Sequence, residues 1–290
     1  MVEVLIGGLA AGLMYSLVAL GFVLIFKASG VFNFAQGVMV LFAALTLVGL
    51  IERGVPVVLG LLLTMLVMVA LAFAIERVVL RPLVNQEYII LFMATIGLSF
   101  FLEGFGELLW GSNVKKLDVG IPDTSFMIRG VQINKLEVTA ALTAAVLVTI
   151  LAVFFQKTRI GRALRAVADD HEAALSIGIP LKTIWVVVWS VAGLVALVAG
   201  IMWGAKSGVQ FSLSLIALKA LPVLILGGFT SVPGAIVGGV IIGVGEKLGE
   251  VYWGPLVGGA IENWFAYVLA LAFLLFRPQG LFGERIIERV

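Results

Sequence analysis

Nine runs of mostly apolar residues divide this chain, at 4–26, 38–51, 56–73, 88–110, 138–155, 184–204, 215–226, 236–252 and 259–276. About 20 such residues let a helix cross the hydrocarbon core of a bilayer. Backbone in lipid must satisfy its own hydrogen bonds, which a helix does within one segment. The runs therefore predict an all-α polytopic membrane protein with about eight to nine transmembrane helices. Composition agrees, since 62% of the 290 residues are hydrophobic and only 12% are charged, about half the charge of a soluble domain. The runs 38–51 and 215–226 are too short to cross as regular helices. Broken helices are tolerated at membrane depth where they pack against protein or line a cavity, so these two are candidates for the pore wall.

The whole chain, 1–290, reads as a single transmembrane domain. The strongest basic stretch, 156–183, carries Lys157, Arg159, Arg162, Arg165 and Lys182, and the positive-inside tendency places it in the cytoplasm. The tail 277–290 then falls on the same side, and the N-terminus and segment 111–137 fall outside. That assignment leaves Lys115, Lys116, Arg129 and Lys135 outside, against the same tendency. In the outer segment, alternation at Phe126, Ile128, Val131 and Ile133 across Arg129 and Gly130 reads either as a small β-hairpin or as an ordinary loop. The first run lacks a basic flank and a small-residue cleavage site, so it is expected to remain as the first membrane helix.

The absence of cysteine and the single histidine, His171, exclude thiol nucleophiles, disulfides and Cys- or His-rich metal sites. Neither catalytic nor metal-ligating residues are assigned. Polar residues inside the runs are costly and therefore informative. Asn33 and Gln36 flank Phe34 in a break after the first run; they either bind a zwitterionic solute or cap the restarting helix. Glu103 with Glu107, Glu246 with Glu250, and Lys219, Lys247, Glu262 and Asn263 are the remaining polar candidates. Glu103, Lys219 and Glu246 lie deepest, where structural ion pairing and a lining of the solute path are equally open. Small residues are dense early, at Gly7, Gly8, Ala10, Ala11 and Gly12, and late, at Gly234, Gly238, Gly239 and Gly243, predicting close helix packing. Residues 20–40 and 221–241 share an order of apolar half-helix, small or polar break and new helix, which reads as an internal repeat.

Residues 158–181, TRIGRALRAVADDHEAALSIGIPL, are too polar to enter lipid yet patterned like folded protein. Asp169 and Glu172 have capping-box spacing, and Gly178 supplies a left-handed stop. A short helix of about two turns is expected there, either docking into a partner or covering the membrane end as a solvated loop. Glu172, Ala173, Ala174 and Gly178 resemble the EAA loop of bacterial ABC importer permeases, and Gly161 to Ala166 with Ile179 resemble its form in branched-chain amino acid importers. Residues 30–37, GVFNFAQG, and 276–282, FRPQGLF, resemble the N- and C-terminal motifs of that family. The loop does not continue towards I-x-L-P, in keeping with the larger-bundle, branched-chain subtype.

The resemblance implies a permease subunit in the bacterial inner membrane. Its ATPase-coupling residues would be Arg162, Arg165, Asp169, Asp170, Glu172, Ala173, Ala174 and Gly178. Its expected partners are a second homologous permease, two ATP-binding subunits, an extracytoplasmic solute-binding protein, membrane lipid and a small solute, with no nucleic acid. ATP and Mg would belong to the ATPase subunits, since this chain has no GxxxxGK[ST] phosphate loop and carries no cofactor of its own. The expected solute is a branched-chain amino acid, with urea, short amides and small carboxylic or aromatic acids as alternatives. The competing functions are an ion-gradient carrier, which needs no docking helix, and an intramembrane enzyme, for which no nucleophile and base are paired.

Overall fold

The structure is a computed structural model that describes residues 1–83, 86–122, 124–128, 131–169, 174, 176–261 and 264–283; at Ile128, Val131 and Asp169 only the backbone is described. The apolar runs fold as helices α1 (Val2–Ser29), α2 (Gln36–Glu52), α3 (Val57–Ala74), α4 (Tyr88–Trp110), α5 (Lys135–Lys157), α7 (Leu181–Ser207), α8 (Ile216–Gly227), α9 (Val232–Val257) and α10 (Phe265–Phe276), with α6 (Arg159–Asp169) in the polar segment. Six of them are long and apolar enough to cross a membrane, and α2, α8 and α10 are shorter. The chain is an all-α polytopic membrane protein.

One expectation about element boundaries is corrected. The last helix begins at Phe265 rather than at Gly259, because Gly258, Gly259 and Ala260 all take positive φ and interrupt right-handed winding. The polar segment also holds a helix ahead of the expected short one: α6 spans Arg159–Asp169, while the start of the expected helix falls on residues 170–173, outside the described residues. The Thr158 hydroxyl accepts from the Gly161 N–H at 3.0 Å, an N-cap bond, and Leu164 and Val167 bury one face.

The chain forms two compact units, one of Met1–Val23, Ile121–Ala145 and Ile216–Val290, the other of Leu24–Gly120 and Val146–Leu215. In the second unit, α2 is buried from Gln36 through Gly49 and packs against α3, α4 and α7. A helix of 17 residues is short for a crossing, and enclosure by protein removes the requirement that it match the hydrocarbon thickness. Leu41, Ala44, Leu45, Leu47 and Val48 meet Leu117, Val209 and Leu213 in its core. Lys115 and Val209 exchange backbone hydrogen bonds of 2.9 and 2.8 Å, and Lys115 pairs with Glu52. Past α3 the chain widens into a π-helical turn, Ile75–Leu80, where the buried Glu76 receives two hydrogen bonds from Arg81 at 3.0 and 3.2 Å.

In the first unit, β1 (Ser125–Ile128) and β2 (Val131–Asn134) form the hairpin, with Phe126 opposite Ile133; Arg129 and Gly130 lie outside the described residues. Asn134 Oδ1 accepts from the Leu136 N–H at 2.8 Å and starts α5. Helices α8, α9 and α10 pack together. The N-terminal half of α1 meets α9 through glycines: a β-carbon added to Gly8 would lie 2.9 Å from Gly243 O, and one on Gly12 would lie 2.8 Å from the carbonyl carbon of Gly239. Ser16 Oγ lies 2.9 Å from Gly12 O and 3.0 Å from Ala235 O, so its single proton is shared between the two helices.

Candidate functional site

The first break runs from Gly30 to Ala35. Gly30 has φ +68°, which ends α1, and Gln36 restarts the helix as α2. Asn33 and Gln36 are fully buried and Phe34 is 39% exposed. Asn33 Oδ1 accepts from the Ala35 N–H at 3.1 Å, so Asn33 closes a turn ahead of the helix; the N-cap position itself is Ala35, and no side chain caps α2. Asn33 Nδ2 lies 3.4 Å from Gln36 Oε1 and 3.6 Å from Met39 Sδ, and Gln36 Nε2 has no hydrogen-bond partner among the described residues. A buried unpaired donor of this kind costs about 1–3 kcal/mol. Thr95 on α4 was not singled out from the sequence, where it is one polar residue in an apolar run. Its hydroxyl accepts from the Phe34 N–H at 3.0 Å and donates to Phe92 O at 2.8 Å, holding the break against α4.

The second break, between α8 and α9, has the same order of elements as the first, as the internal repeat predicts. Gly228 takes φ +102°, and Ser231 caps α9 by accepting from the Gly234 N–H at 3.0 Å. The carbonyls that α8 leaves open at its C-terminus are met by the end of the chain: the Leu281 N–H donates to Leu226 O at 2.8 Å and the Phe282 N–H to Gly227 O at 3.2 Å. The stretch 276–282 thus acts as a strap over the end of a half-helix, answering the accounting that every buried helix terminus demands. Arg285 and Arg289 lie outside the described residues.

Lys219 on α8 and Glu246 on α9 form an ion pair of 3.3 Å, with side-chain exposures of 26% and 2%. Tyr267 on α10 donates to Leu218 O at 2.6 Å, anchoring the same stretch of α8. Separating the two charges should cost more than removing both. Lys219→Met or Glu246→Leu alone is expected to lower stability by about 2–4 kcal/mol, and the double variant to return to within about 1 kcal/mol of the parent, measured by unfolding in mixed detergent. Uptake by that double variant separates the two readings: retained transport assigns the pair to structure, and lost transport assigns it to the solute path. Glu103 is half-buried on α4 in the other unit and joins neither group. Glu262 and Asn263 lie outside the described residues. Trp185 and Trp189 on α7 are buried and belong to its packing face.

In the polar segment, Arg165 Nη1 donates to Phe155 O at 2.7 Å, and Arg162 Nη1 makes a long contact of 3.5 Å to Lys157 O. Both guanidinium groups thus face the open carbonyls at the end of α5, where positive charge is favourable. Asp170, His171, Glu172 and Ala173 lie outside the described residues, as does the Asp169 side chain, so the capping box cannot be placed. Ala174 is helical and buried. Gly178 has φ +83°, and the Ile179 N–H donates to Ala174 O at 3.0 Å. That 6→1 bond with a left-handed glycine is a Schellman stop, as the sequence predicts.

A family model described as "Branched-chain amino acid transport system / permease component" matches residues 4–277. The chain is similar to the high-affinity branched-chain amino acid transport system permease protein BraD of Pseudomonas aeruginosa, at 29% identity over 99% of this chain and 97% of that one. It is similar to the high-affinity branched-chain amino acid transport system permease protein LivH of Salmonella typhimurium, at 28% identity over 98% and 96%. At 22% identity over 86% of this chain and 74% of the other, it also resembles the fructose import permease protein FruG of Bifidobacterium longum. A match over nearly the whole chain shows that the protein belongs to the family of permease components of branched-chain amino acid transport systems.

Proposed function

We propose that this chain is the membrane subunit of an ATP-driven importer in a bacterial inner membrane, carrying a branched-chain amino acid or a related small solute inward. It pairs with a second homologous permease and receives solute from an extracytoplasmic binding protein. Two ATPase subunits hold ATP and Mg and perform the hydrolysis, so this chain is a permease and not an enzyme. The observation that carries the reading is the folded polar segment between α5 and α7: an amphipathic helix tied to the end of α5, then a glycine-terminated helix leading into α7. A segment built this way can take up a push from a soluble partner and deliver it to two membrane helices. Arg162, Arg165, Asp169, Asp170, Glu172, Ala173, Ala174 and Gly178 would form that docking region. Within its own unit the first break would present Asn33, Phe34 and Gln36 to the solute; Glu103 on α4 and the Lys219–Glu246 pair are further candidates for contact with it.

The deciding experiment is purification from the native membrane in mild detergent, with mass spectrometry of the proteins that remain bound. Two ATPase subunits and a second permease are the expected companions. A chain that purifies alone and transports in vesicles without ATP would replace this reading with an ion-gradient carrier.

A further inference from the structure

The hydrogen-bond orientations in the first break fix one another in sequence. The Ala35 N–H sets the oxygen of Asn33. The Asn33 Nδ2 that remains then faces the oxygen of Gln36, and the Gln36 amide cannot be turned over without setting nitrogen against nitrogen. Its Nε2 is left as a buried donor with no acceptor among the described residues. This group lies at the start of a 17-residue helix whose N-terminus has no side-chain cap. The N–H groups of Gly37 and Val38, in the first turn, have no carbonyl four residues back within the helix. Every one of these groups donates, none carries charge, and the helix end itself is positive.

We propose that this end of α2 receives the carboxylate of the transported solute, with Gln36 Nε2 as its side-chain donor. The inference rests on the importer reading and adds the residue and helix end that receive the solute's carboxylate. Half-helix N-termini at membrane depth favour anionic groups of this kind. The remainder of the solute is apolar, because Phe32, Phe34 and Phe92 adjoin the break with ring centroids 6.2 and 6.3 Å apart. Asn33 and Gln36 are fully buried, so solute reaches them when the break opens. Urea and short amides fit poorly, since they carry no carboxylate to meet these donors.

The test uses the complete transport system in proteoliposomes with ATP, with radiolabelled L-leucine and urea as probes. Gln36→Met keeps the length of the side chain and removes the unpaired donor together with the oxygen that faces Asn33 Nδ2, so a purely structural role predicts insertion and a melting temperature close to the parent's, with normal uptake. The receptor role predicts that same insertion and melting with leucine uptake at least about 10-fold lower, the loss of one hydrogen bond to a charged group. Val38→Pro removes one first-turn N–H, a position where proline is tolerated, and is expected to lower leucine uptake as well; it decides the matter alone if Gln36→Met does not insert. Leucine uptake within about twofold of the parent in the inserted variants overturns the receptor. ATP-dependent uptake of urea in preference to leucine also overturns it, leaving the importer intact. Absence of ATP-dependent uptake of either probe by the parent protein removes the importer reading, and this inference with it.

Discussion

Gly243→Leu is expected to leave almost no folded protein in the membrane, whereas Gly97→Leu is expected to accumulate as well as the parent. Lipid gives α1 and α9 no hydrophobic reason to associate, so their contact depends on close packing and on the Ser16 hydroxyl. Gly8 and Gly12 are four residues apart on α1, and Gly239 and Gly243 are four apart on α9. The first carbon of a side chain on Gly8 would lie 2.8 Å from Val244 Cα, and one on Gly12 would lie 3.0 Å from Val240 Cα. The obstructing atoms are backbone, which cannot turn aside as a side chain can. Leucine at 243 must therefore push the helices apart, breaking the Ser16 bridge to Ala235 O, at a cost of about 3 kcal/mol or more. A β-carbon at Gly97 meets nothing within 4 Å, and leucine there improves helix propensity by about 0.5–1 kcal/mol. Size-exclusion profiles of the two variants, extracted in the same detergent, make the comparison. Equal recovery of both would show that the α1–α9 contact does not hold the first unit together.

The nine apolar runs were legible because lipid imposes a length and a composition on any helix that enters it, and every run became a helix. What the sequence left open was partnership. It offered Gly8, Gly12, Gly239 and Gly243 as small residues without saying which helices would touch. It offered Lys219 and Glu246 as isolated deep charges, although a pair 27 residues apart in sequence is a matter of tertiary geometry. Helix α6 escaped notice because its charged face dominates the residue count, and the burial of Leu164 and Val167 that stabilises it depends on contact with the rest of its unit. The start of α10 was misplaced because the left-handed stretch begun by Gly258 and Gly259 continues through Ala260, at φ +58°, a residue type that does not signal it. The break at Asn33 and Gln36 was legible as a break, but the surplus donor on Gln36 exists only once the orientation of its neighbour is known. The strap at 276–282 was readable as a family motif, and its physical work, closing the carbonyls of α8, became visible only in three dimensions.

Gly178→Val is expected to abolish solute uptake and leave the amount of inserted protein unchanged, which separates coupling from folding. Gly178 is exposed, and a β-carbon there meets nothing within 4 Å, so the substitution disturbs no packing. The difficulty is conformational. At φ +83° an L-residue other than glycine loses about 1–2 kcal/mol, and a β-branched residue loses more. The bond from the Ile179 N–H to Ala174 O is then exchanged for further winding or fraying, and the chain enters α7 in the wrong direction. Since 1.4 kcal/mol is a factor of ten in population, the competent form falls to about a tenth or less for Val. Asn tolerates the left-handed region better than other residues with a side chain. Uptake in the series Gly, Asn, Ala, Val should therefore fall in that order while inserted protein stays level. Co-purification of the ATPase subunits should fall along the same series. A series in which uptake stays level would show that the stop at Gly178 ends a solvated loop helix and carries no force between subunits.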